Sequence, residues 1–327
     1  MRGVQYSEYG DPLKVAKLVS VDAPRPAEDE LLIAVEASPF RSADIYCMKG
    51  LPGFRPKLPA FPGGTGIGRV TEVGAGVDGW APGDRAYLPR VGTWREFMTL
   101  PAAPLFKAPR EGDPVALAQV NSNGITAYTL LRHRDDVKAG DWVMQSAANS
   151  NVGRYLVQMA GRWGIRTVNL VRRTDVVDEL LELGGDIVVV DGDDLAARVS
   201  EATGGAEIRV AFDMVGGATT GRLAECLCND GVIALFGQMG DSPAQVPLNV
   251  MLFKHINVYG FLAERELRRS GVNREGFARV YDEVAGAINK GRLRSNVAAV
   301  YPFERIHAAI EHFLDGADGK IVIVPGD

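Results

Sequence analysis

Hydrophobic residues in the middle of the chain follow first the spacing of a buried strand and then the spacing of a helix. Residues 141–173 read DWVMQSAANSNVGRYLVQMAGRWGIRTVNLVRR and open with a short apolar run from Trp142 to Met144. Five apolar residues then recur at helical spacing: Val152, Leu156, Met159, Ala160 and Trp163. A second apolar run, from Thr167 to Val171, follows at once. The pattern predicts a strand, a tight turn, a helix with one buried face and a second strand.

The same alternation continues toward the C-terminus. Further β-branched, apolar runs occur at 187–191, 209–215, 232–237 and 256–261, with helical stretches such as 195–203 and 219–228 between them. Alternating strands and helices over this length are typical of a parallel sheet covered by helices on both faces. The predicted fold class is therefore α/β, with a doubly wound parallel sheet of the Rossmann type.

Residues 1 to about 120 have strand-like alternation broken by many turns. Pro62, Gly63, Gly64, Gly66 and Gly68 lie within seven positions of one another. Such turn density predicts a compact, mostly β, barrel-like domain. A polar helical stretch is predicted from Glu264 to Arg292, and the last strand, KIVIV, is expected to return to this first domain.

Whole-chain composition narrows the function classes. At 327 residues with a net charge of -5, the chain is long enough for two domains, and it lacks the basic runs of a nucleic-acid-binding protein. No apolar segment reaches the roughly 20 residues of a membrane span, and the first residues lack a signal-peptide core, so a cytoplasmic location is predicted. Cys47, Cys226 and Cys228 are interpreted as reduced, structural thiols.

The turn before the first helix has the composition of a phosphate-facing loop. Asn149, Ser150 and Asn151 are small or tolerate left-handed backbone, and Gly153 is the one glycine present of the usual three. Arg172 and Arg173 end the next strand, where an NAD-specific protein usually carries a carboxylate. The two arginines indicate binding of the 2′-phosphate of NADPH. The alternative is that they are a solvated pair on the protein surface.

Several blocks of the sequence resemble the medium-chain dehydrogenase/reductase superfamily over essentially its whole length. They are AEDELLIAVEASPF, GRVTEVGAGVDGWAPGDRAY, NGITAYTLL, QSAANSNVGRYLVQMAGRWGIRTVNLVRR, LFGQMGDSPAQVPLNVMLFKHINVYGFL and GKIVIV. The resemblance is to the zinc-independent branch of quinone oxidoreductases and 2-enoyl thioester reductases. It implies a Rossmann NADPH-binding domain at 121–264, inserted into a GroES-like catalytic domain at 1–120 and 265–327. It also implies a homodimer, paired through the edge strand at 256–261.

Zinc-dependent members of this superfamily hold a catalytic metal with Cys, His and a further Cys or Glu. Here Arg41 and Asp44 stand at the first metal motif, and GGTG replaces the Gly-His-Glu motif. The four histidines, His133, His255, His307 and His312, are scattered. No metal is therefore predicted.

The resemblance implies a set of cofactor contacts. These residues are Asn123, Thr126, Asn149, Ser150, Asn151, Val152, Arg172, Arg173, Thr174, Phe236, Gly237, Gln238, Met239, Phe261, Leu262, Ala263 and Lys320. Core packing is the alternative for Phe236, Met239 and Phe261. For Lys320 the alternative is a charge at a strand edge.

The implied mechanism is hydride transfer from NADPH to the β-carbon of an activated alkene, followed by protonation of the α-carbon. Enoyl thioester reductases place a proton-donating Tyr two residues after the glycine that matches Gly50, but this chain has Pro52 there. Tyr46 is a candidate replacement donor, with a core or rim position as its alternative.

Arg41 replaces an Asn that many relatives carry near the nicotinamide. It is a candidate clamp for a substrate carboxylate or phosphate, or else it pairs with Asp44 or Glu72 at the surface.

Three functions remain open from the sequence. The first is an NADPH-dependent reductase of an activated C=C bond in an enoyl thioester or enone. The second is a quinone oxidoreductase, which needs no directed proton donor and so tolerates the missing tyrosine. The third is a non-catalytic NADPH-binding protein.

Overall fold

The computed structural model describes the chain except for Pro52, Phe54, Arg90, Val91, residues 133–135, Asp241 and Asp327. The chain forms two compact units. The first comprises Met1–Ser122, Ala278–Gly291 and Ser295–Asp327, and the second comprises Asn123–Phe277 and Arg292–Arg294. Within the described residues, no helix is both long enough and apolar enough to cross a membrane.

Fifteen strands occur among the described residues. They are β1 (Arg2–Gln5), β2 (Lys17–Ser20), β3 (Glu30–Pro39), β4 (Gly66–Val73), β5 (Arg85–Leu88), β6 (Phe97–Pro101), β7 (Phe106–Ala108), β8 (Trp142–Gln145), β9 (Arg166–Val171), β10 (Ile187–Val190), β11 (Ile208–Asp213), β12 (Val232–Leu235), β13 (Asn257–Gly260), β14 (Val297–Pro302) and β15 (Lys320–Val324).

The described residues also form twelve α-helices. They are α1 (Pro12–Val15), α2 (Ser42–Lys49), α3 (Pro114–Leu117), α4 (Ile125–Arg132), α5 (Asn151–Arg162), α6 (Val177–Glu182), α7 (Leu195–Thr203), α8 (Gly217–Cys226), α9 (Leu248–Phe253), α10 (Ala263–Arg269), α11 (Arg274–Asn289) and α12 (Ile306–Leu314).

The second unit is built on a six-stranded sheet in the order β10-β9-β8-β11-β12-β13. All its strand pairs are parallel. The chain first moves outward from β8 to β9 and β10, then returns to place β11, β12 and β13 on the other side, which is the Rossmann order. Sheets of this kind bind ligands at the carboxyl ends of the strands beside the point of reversal, here between β8 and β11. The predicted fold class is confirmed.

The predicted elements of this unit match the structure with small shifts. The helix predicted at 219–228 is α8 at Gly217–Cys226, and the sixth strand is shorter than predicted, at Asn257–Gly260. That strand lies at the edge of the sheet, as expected. The single helical stretch predicted from Glu264 to Arg292 is wrong, because it consists of α10 and α11, separated at Gly271 with a left-handed φ of 73°.

The first unit has a mostly antiparallel sheet in the order β14-β15-β3-β4-β5-β7, with β6 also paired to β3. The long strand β3 holds this sheet together, since it pairs with β4, β6 and β15. The pairing of β15 with β3 confirms that the C-terminal strand returns to the first domain. It also brings the start of β15 next to the end of β3, where Phe40 N donates to Ile321 O at 2.9 Å.

Helix α5 begins where the sequence predicts and packs closely on the turn before it. Ser150 caps its N-terminus, and nearly the whole helix is buried between its neighbours. Gly153 allows this approach, because a Cβ at that position would overlap with the backbone of Ala148. Arg154, also fully buried, forms an ion pair with Glu179.

We predict that Gly153→Ala destabilises the protein, because the added methyl group must push α5 away from the turn. Overpacking of this kind costs about 1–3 kcal/mol. Thermal unfolding should show a lower midpoint, and the affinity for nucleotide, measured by calorimetry, should fall with it.

Gly161→Ala is the matched control for this prediction. Gly161 lies in the same helix, and the nearest atom to its added Cβ would be Gly184 O at 3.7 Å. Gly161 is the penultimate residue of α5, so alanine there should stabilise the helix by less than the roughly 1 kcal/mol expected in a helix interior. If the two variants unfold alike, the contact between Gly153 and Ala148 does not carry the packing of this helix.

Candidate active site

The turn between β8 and α5 has the geometry of a phosphate-binding loop. Ser150 Oγ accepts a hydrogen bond from the Gly153 amide at 3.2 Å. Val152 lies in the first turn of α5, where a helix supplies no backbone acceptor and its dipole favours an anion. Ala147 turns the chain with a left-handed φ of 49°. The structure thus brings the predicted residues 149–152 together in one turn at the carboxyl end of β8.

A buried polar network supports this turn and was not singled out in the sequence. Asp213, fully buried at the end of β11, accepts hydrogen bonds from Ser146 Oγ and Thr220 Oγ1, both at 2.6 Å. It also accepts from the Val215 amide at 2.9 Å, and Ser146 Oγ accepts from the Met214 amide at 2.9 Å. The network ties the end of β8 to the end of β11 at the point of reversal. A buried carboxylate can lie there because donors surround it.

Arg172, Arg173 and Thr174 lie at the carboxyl end of β9 and are exposed. Arg173 Nε lies 3.1 Å from Asp175 Oδ1. Arg172 forms no ion pair with any residue that the structure describes. The two arginines are therefore exposed at the carboxyl end of β9, with the Arg173 guanidinium paired to the carboxylate of Asp175, and their contact with a nucleotide phosphate remains a prediction.

The loop after β12 lies beside the end of β11. The Phe236 amide donates to Asp213 O at 3.0 Å, and the Met239 amide donates to Met214 O at 2.9 Å. Phe236 and Gly237 are partly exposed, whereas Gln238 is exposed and Met239 is 56% exposed. Core packing, the alternative interpretation of Met239, is therefore wrong.

The residues after β13 differ from one another in burial. Phe261 is 3% exposed, and its amide donates to Leu235 O at 2.7 Å, so its side chain is part of the core. Leu262 is exposed, and Ala263, the first residue of α10, is partly exposed. For Phe261 the structure thus favours the core interpretation, and the neighbouring residues remain candidates for contact with a ligand.

Asn123 and Thr126 lie at the start of the second unit. Asn123 is buried in a short π-helical turn, Val120–Gly124, which leads into α4, and Thr126 is partly buried in the first turn of that helix. π-helical turns are often found at functional sites. A position of Asn123 and Thr126 beside the nicotinamide remains a prediction.

In the first unit, the candidate residue Arg41 belongs to a group of charges in which Asp44 is buried and Arg41 and Lys320 are partly buried. Asp44, 3% exposed, accepts hydrogen bonds from the backbone amides of Arg41, at 2.9 Å, and Gly64. Lys320 begins β15 and donates from Nζ to Phe40 O at 3.3 Å. The guanidinium of Arg41 lies against Gly64, where a Cβ would overlap with it. We call Arg41, Asp44 and Lys320 the charge cluster.

Burial shifts the titration of the cluster. It lowers the pKa of Lys320 to about 8, with a further decrease from Arg41 and an opposing effect of Asp44. It also raises the pKa of Asp44, although Arg41, Lys320 and the two backbone amides oppose the change. The nearby thiol of Cys47 and phenol of Tyr6 have raised pKa values, mainly because they are buried. A buried lysine with so low a pKa can change its charge near neutral pH.

The structure decides between the interpretations of Arg41. Glu72 is exposed on β4 and forms no ion pair with Arg41 among the described residues. Asp44 Oδ2 accepts a hydrogen bond from the backbone amide of Arg41. Arg41 Nε is buried without a hydrogen-bond partner. An ion pair with Glu72 is therefore not found among the described residues, whereas Arg41 does interact electrostatically with Asp44. No sequence pattern indicated that Lys320 lies beside it, because the pairing of β15 with β3 brings the two together.

Tyr46 lies on α2, where its half-buried ring packs against a hydrophobic cluster that includes Ile45 and Met48. A rim position thus agrees with the structure, and its role as a proton donor remains a prediction. Pro52, which occupies the position of the expected tyrosine, lies outside the described residues.

The residues at the predicted metal motifs do not fit a zinc ion. The guanidinium of Arg41 lies against Gly64, and a guanidinium is not a metal ligand. In the part of the chain that the structure describes, no group of three or more His, Cys, Asp or Glu side chains could hold a metal ion.

Comparison with known proteins identifies the family. A model of the alcohol dehydrogenase GroES-like domain matches residues 27–110, and a model described as zinc-binding dehydrogenase matches residues 151–274. Among curated proteins, the mitochondrial enoyl-[acyl-carrier-protein] reductase of Xenopus tropicalis is 30% identical over 319 residues, covering 95% of this chain and 91% of that protein. The chain belongs to the medium-chain dehydrogenase/reductase superfamily. Membership places it among the oxidoreductases and confirms the resemblance inferred from the sequence.

Two further relatives extend the comparison within the superfamily. The enzyme of the same name from Caenorhabditis elegans is 31% identical, covering 98% of this chain and 93% of that protein. The crystal structure of Escherichia coli quinone oxidoreductase, complexed with NADPH, has a TM-score of 0.87 at 26% identity and covers 99% of this chain and 100% of that one. The chain is thus similar to both reductase types that the sequence left open.

The predicted cytoplasmic location is contradicted by these comparisons. The relatives from Xenopus tropicalis, Caenorhabditis elegans and Homo sapiens are all named as mitochondrial enzymes. The prediction of a cytoplasmic location failed because composition and the lack of a signal-peptide core do not distinguish the cytoplasm from an organelle.

We predict that Lys320→Met stabilises this superfamily member at pH 7. Between pH 8 and 10.5 the unfolded chain binds a proton at this lysine that the folded chain has lost, so stability rises with pH in that window. Below pH 8 the folded protein bears the full cost of the buried charge, which methionine removes. The midpoint of thermal unfolding should rise by a few degrees at pH 7, and the gain should shrink toward pH 10.5.

The control is Lys14→Met, because the side chain of Lys14 is 83% exposed. It should unfold like the parent at every pH. A gain for Lys320→Met that is constant with pH would show that the buried ammonium is not its cause.

Proposed function

We propose that this chain is an NADPH-dependent oxidoreductase that reduces the activated C=C bond of a small acceptor bearing an acidic group. The observation that supports NADPH as the cofactor is the capped turn before α5, together with two arginines at the end of the next strand. Ser150 and Gly153 shape the turn, and no acidic residue stands at position 172 or 173. The NADPH complex of the quinone oxidoreductase from Escherichia coli supports the same cofactor.

We propose that NADPH lies along the carboxyl edge of the six-stranded sheet. The turn at 149–152 would hold the pyrophosphate, and residues 172–174 would hold the adenosine phosphate. Asn123, Thr126, the loop 236–239, Leu262 and Ala263 are proposed to line the remainder. When bound, the reduced nicotinamide supplies a hydride, and the chemistry otherwise depends on how the chain orients and charges the acceptor.

Reduction of a C=C bond conjugated to a carbonyl group needs two further contributions. Hydride addition at the β-carbon moves the π electrons onto the carbonyl oxygen as an enolate, and donors aimed at that oxygen stabilise it. The α-carbon must then receive a proton, which completes the saturated product. We propose Arg41 for the anionic part of the acceptor and Tyr46 as the proton donor in place of the residue missing at position 52.

A quinone acceptor is the second candidate. A quinone takes the hydride and then protonates on oxygen, which exchanges protons with water directly. Pro52 at the position of the usual tyrosine favours this alternative, because such a reaction needs no directed carbon protonation.

One assay separates these functions. The loss of NADPH absorbance is followed with a small enone carboxylic acid, its methyl ester, a benzoquinone and a long-chain enoyl thioester. We expect the enone acid to react faster than its ester, and the thioester to react poorly. A fast reaction with benzoquinone alone would favour the quinone alternative, and no reaction with any acceptor would favour a non-catalytic NADPH-binding protein.

We predict that the chain prefers NADPH to NADH and that Arg172→Ala narrows the preference. A charge-assisted hydrogen bond to the 2′-phosphate contributes about 1.5–3 kcal/mol, so the variant should bind NADPH about tenfold or more weakly. Its affinity for NADH should be nearly unchanged. Calorimetric titration of both nucleotides measures the two affinities.

The matched control is Arg162→Ala, at the exposed end of α5. It should leave the ratio of the two affinities as it is in the parent. Equal affinity of the parent for NADPH and NADH would contradict the assignment of Arg172 and Arg173.

We also propose a homodimer that joins two copies through the β13 edge. Next to this strand, α9 exposes four large apolar side chains, Leu248, Met251, Leu252 and Phe253, of which Phe253 is 84% exposed. An exposed strand edge beside an apolar helix is normally covered by a partner, and a second copy supplies the same surface in return.

Phe253→Glu should therefore produce monomers at micromolar concentration, as measured by light scattering. Leu181→Glu is the control, since Leu181 is exposed on α6, which packs against β10 at the opposite end of the sheet order. It should remain dimeric. A parent protein that is monomeric under these conditions would rule the dimer out.

A further inference from the structure

The charge cluster of the first unit contains more positive charge than its own residues neutralise. Arg41 and Lys320 bring two cations, whereas Asp44 brings one carboxylate. The carboxylate already accepts hydrogen bonds from two backbone amides, those of Arg41 and Gly64. The cluster is therefore left with about one uncompensated positive charge in a partly buried place.

Buried donors without partners surround the same loop. Arg41 Nε, Thr65 Oγ1 and Trp94 Nε1 are all buried and make no hydrogen bond. Thr65 itself is 5% exposed and follows Gly64, against which the guanidinium lies. Buried donors normally have acceptors, because an unsatisfied one costs free energy. Unsatisfied donors next to an excess of positive charge are what a site for an oxyanion requires.

The fold holds these groups in place by backbone contacts. Arg41 and Asp44 stand at the start of α2, where the amide of Arg41 is fixed by Asp44 Oδ2. Lys320 is fixed by the pairing of β15 with the end of β3, and its Nζ lies 3.3 Å from Phe40 O. Gly64 leaves the room that the guanidinium needs. The two cations are thus positioned before any ligand arrives.

We infer that Arg41 and Lys320, held around Asp44, form a binding site for one small carboxylate. The inference deepens the proposed function and rests on it for the class of ligand. A carboxylate carries one negative charge, which matches the excess of the cluster, and its two oxygens match the fork of a guanidinium. Phosphate carries more charge than the cluster can neutralise, so it should bind more weakly.

Binding at this site has a proton signature. The pKa of Lys320 is about 8 while its surroundings are buried and positive. A carboxylate placed beside it stabilises the ammonium and raises that pKa, so at pH 8 the protein should take up as much as about half a proton. Cys47 and Tyr6, the other titratable groups that face Asp44, have raised pKa values and stay neutral at that pH.

The test is calorimetric titration of the full-length protein with crotonate at pH 8, in two buffers of different ionisation enthalpy. The difference between the two heats gives the protons taken up. We expect saturable binding with proton uptake, and little or no binding of methyl crotonate, which has the same acyl chain but a neutral methyl ester in place of the carboxylate. Inorganic phosphate should bind more weakly than crotonate.

Two variants locate the site. Arg41→Gln should weaken crotonate binding by about tenfold or more, because a charge-assisted contact is lost. Lys320→Met should also weaken crotonate binding and should abolish proton uptake. Proton uptake that persists in this variant would assign the proton to Asp44 and overturn the role of Lys320. Arg41→Lys retains the charge and should recover part of the affinity. Lys14→Met should match the parent, and thermal unfolding midpoints show that each variant is folded.

The inference is overturned if folded Arg41→Gln and Lys320→Met bind crotonate like the parent, or if the parent binds methyl crotonate equally well. It is also overturned if Lys320→Met weakens NADPH and leaves crotonate unchanged, since Lys320 would then serve the cofactor. Failure of the proposed function looks different: crotonate binds with proton uptake, yet no acceptor oxidises NADPH.

Discussion

Helix α5 can approach the turn after β8 because position 153 has no side chain, and the cofactor half of the molecule depends on that approach. A Cβ there would overlap with the backbone of Ala148, so any other residue would displace the N-terminus of the helix. The Ser150 cap then fixes the register of the first turn. Because the strength of a helix N-terminus as an anion site falls off within one turn, a small displacement would remove most of it.

The buried network around Asp213 holds the turn between β8 and α5 in place. Its carboxylate accepts from two hydroxyls and from backbone amides, so it joins the ends of β8 and β11 where the strand order reverses. A carboxylate buried without these donors would cost several kcal/mol. The carboxylate can therefore be buried only where these donors surround it. The network fixes the carboxyl ends of β8 and β11, where a ligand is expected, to the sheet.

The sequence allowed prediction of the Rossmann sheet because strand and helix periods are local. The turn at 149–152 and the arginines after β9 were predictable for the same reason, since each lies next to an element with a clear pattern. The charge cluster was not predictable as a unit. Arg41 and Lys320 are far apart in sequence, and only the pairing of β15 with β3 brings them together. Phe261 shows the converse difficulty, because a residue after a strand can enter either the core or a ligand site, and burial decides between them.

The charge cluster holds more positive than negative charge, because Arg41 and Lys320 lie around the single carboxylate of Asp44. The excess has a cost, seen in the pKa of Lys320, which burial and Arg41 lower to about 8. A sequence selected for stability alone would place an apolar residue at position 320, because a buried charge that lacks a full partner destabilises the fold. If Arg41 and Lys320 bind an anion as we propose, that binding offsets this cost, and the two cations form a preorganised site.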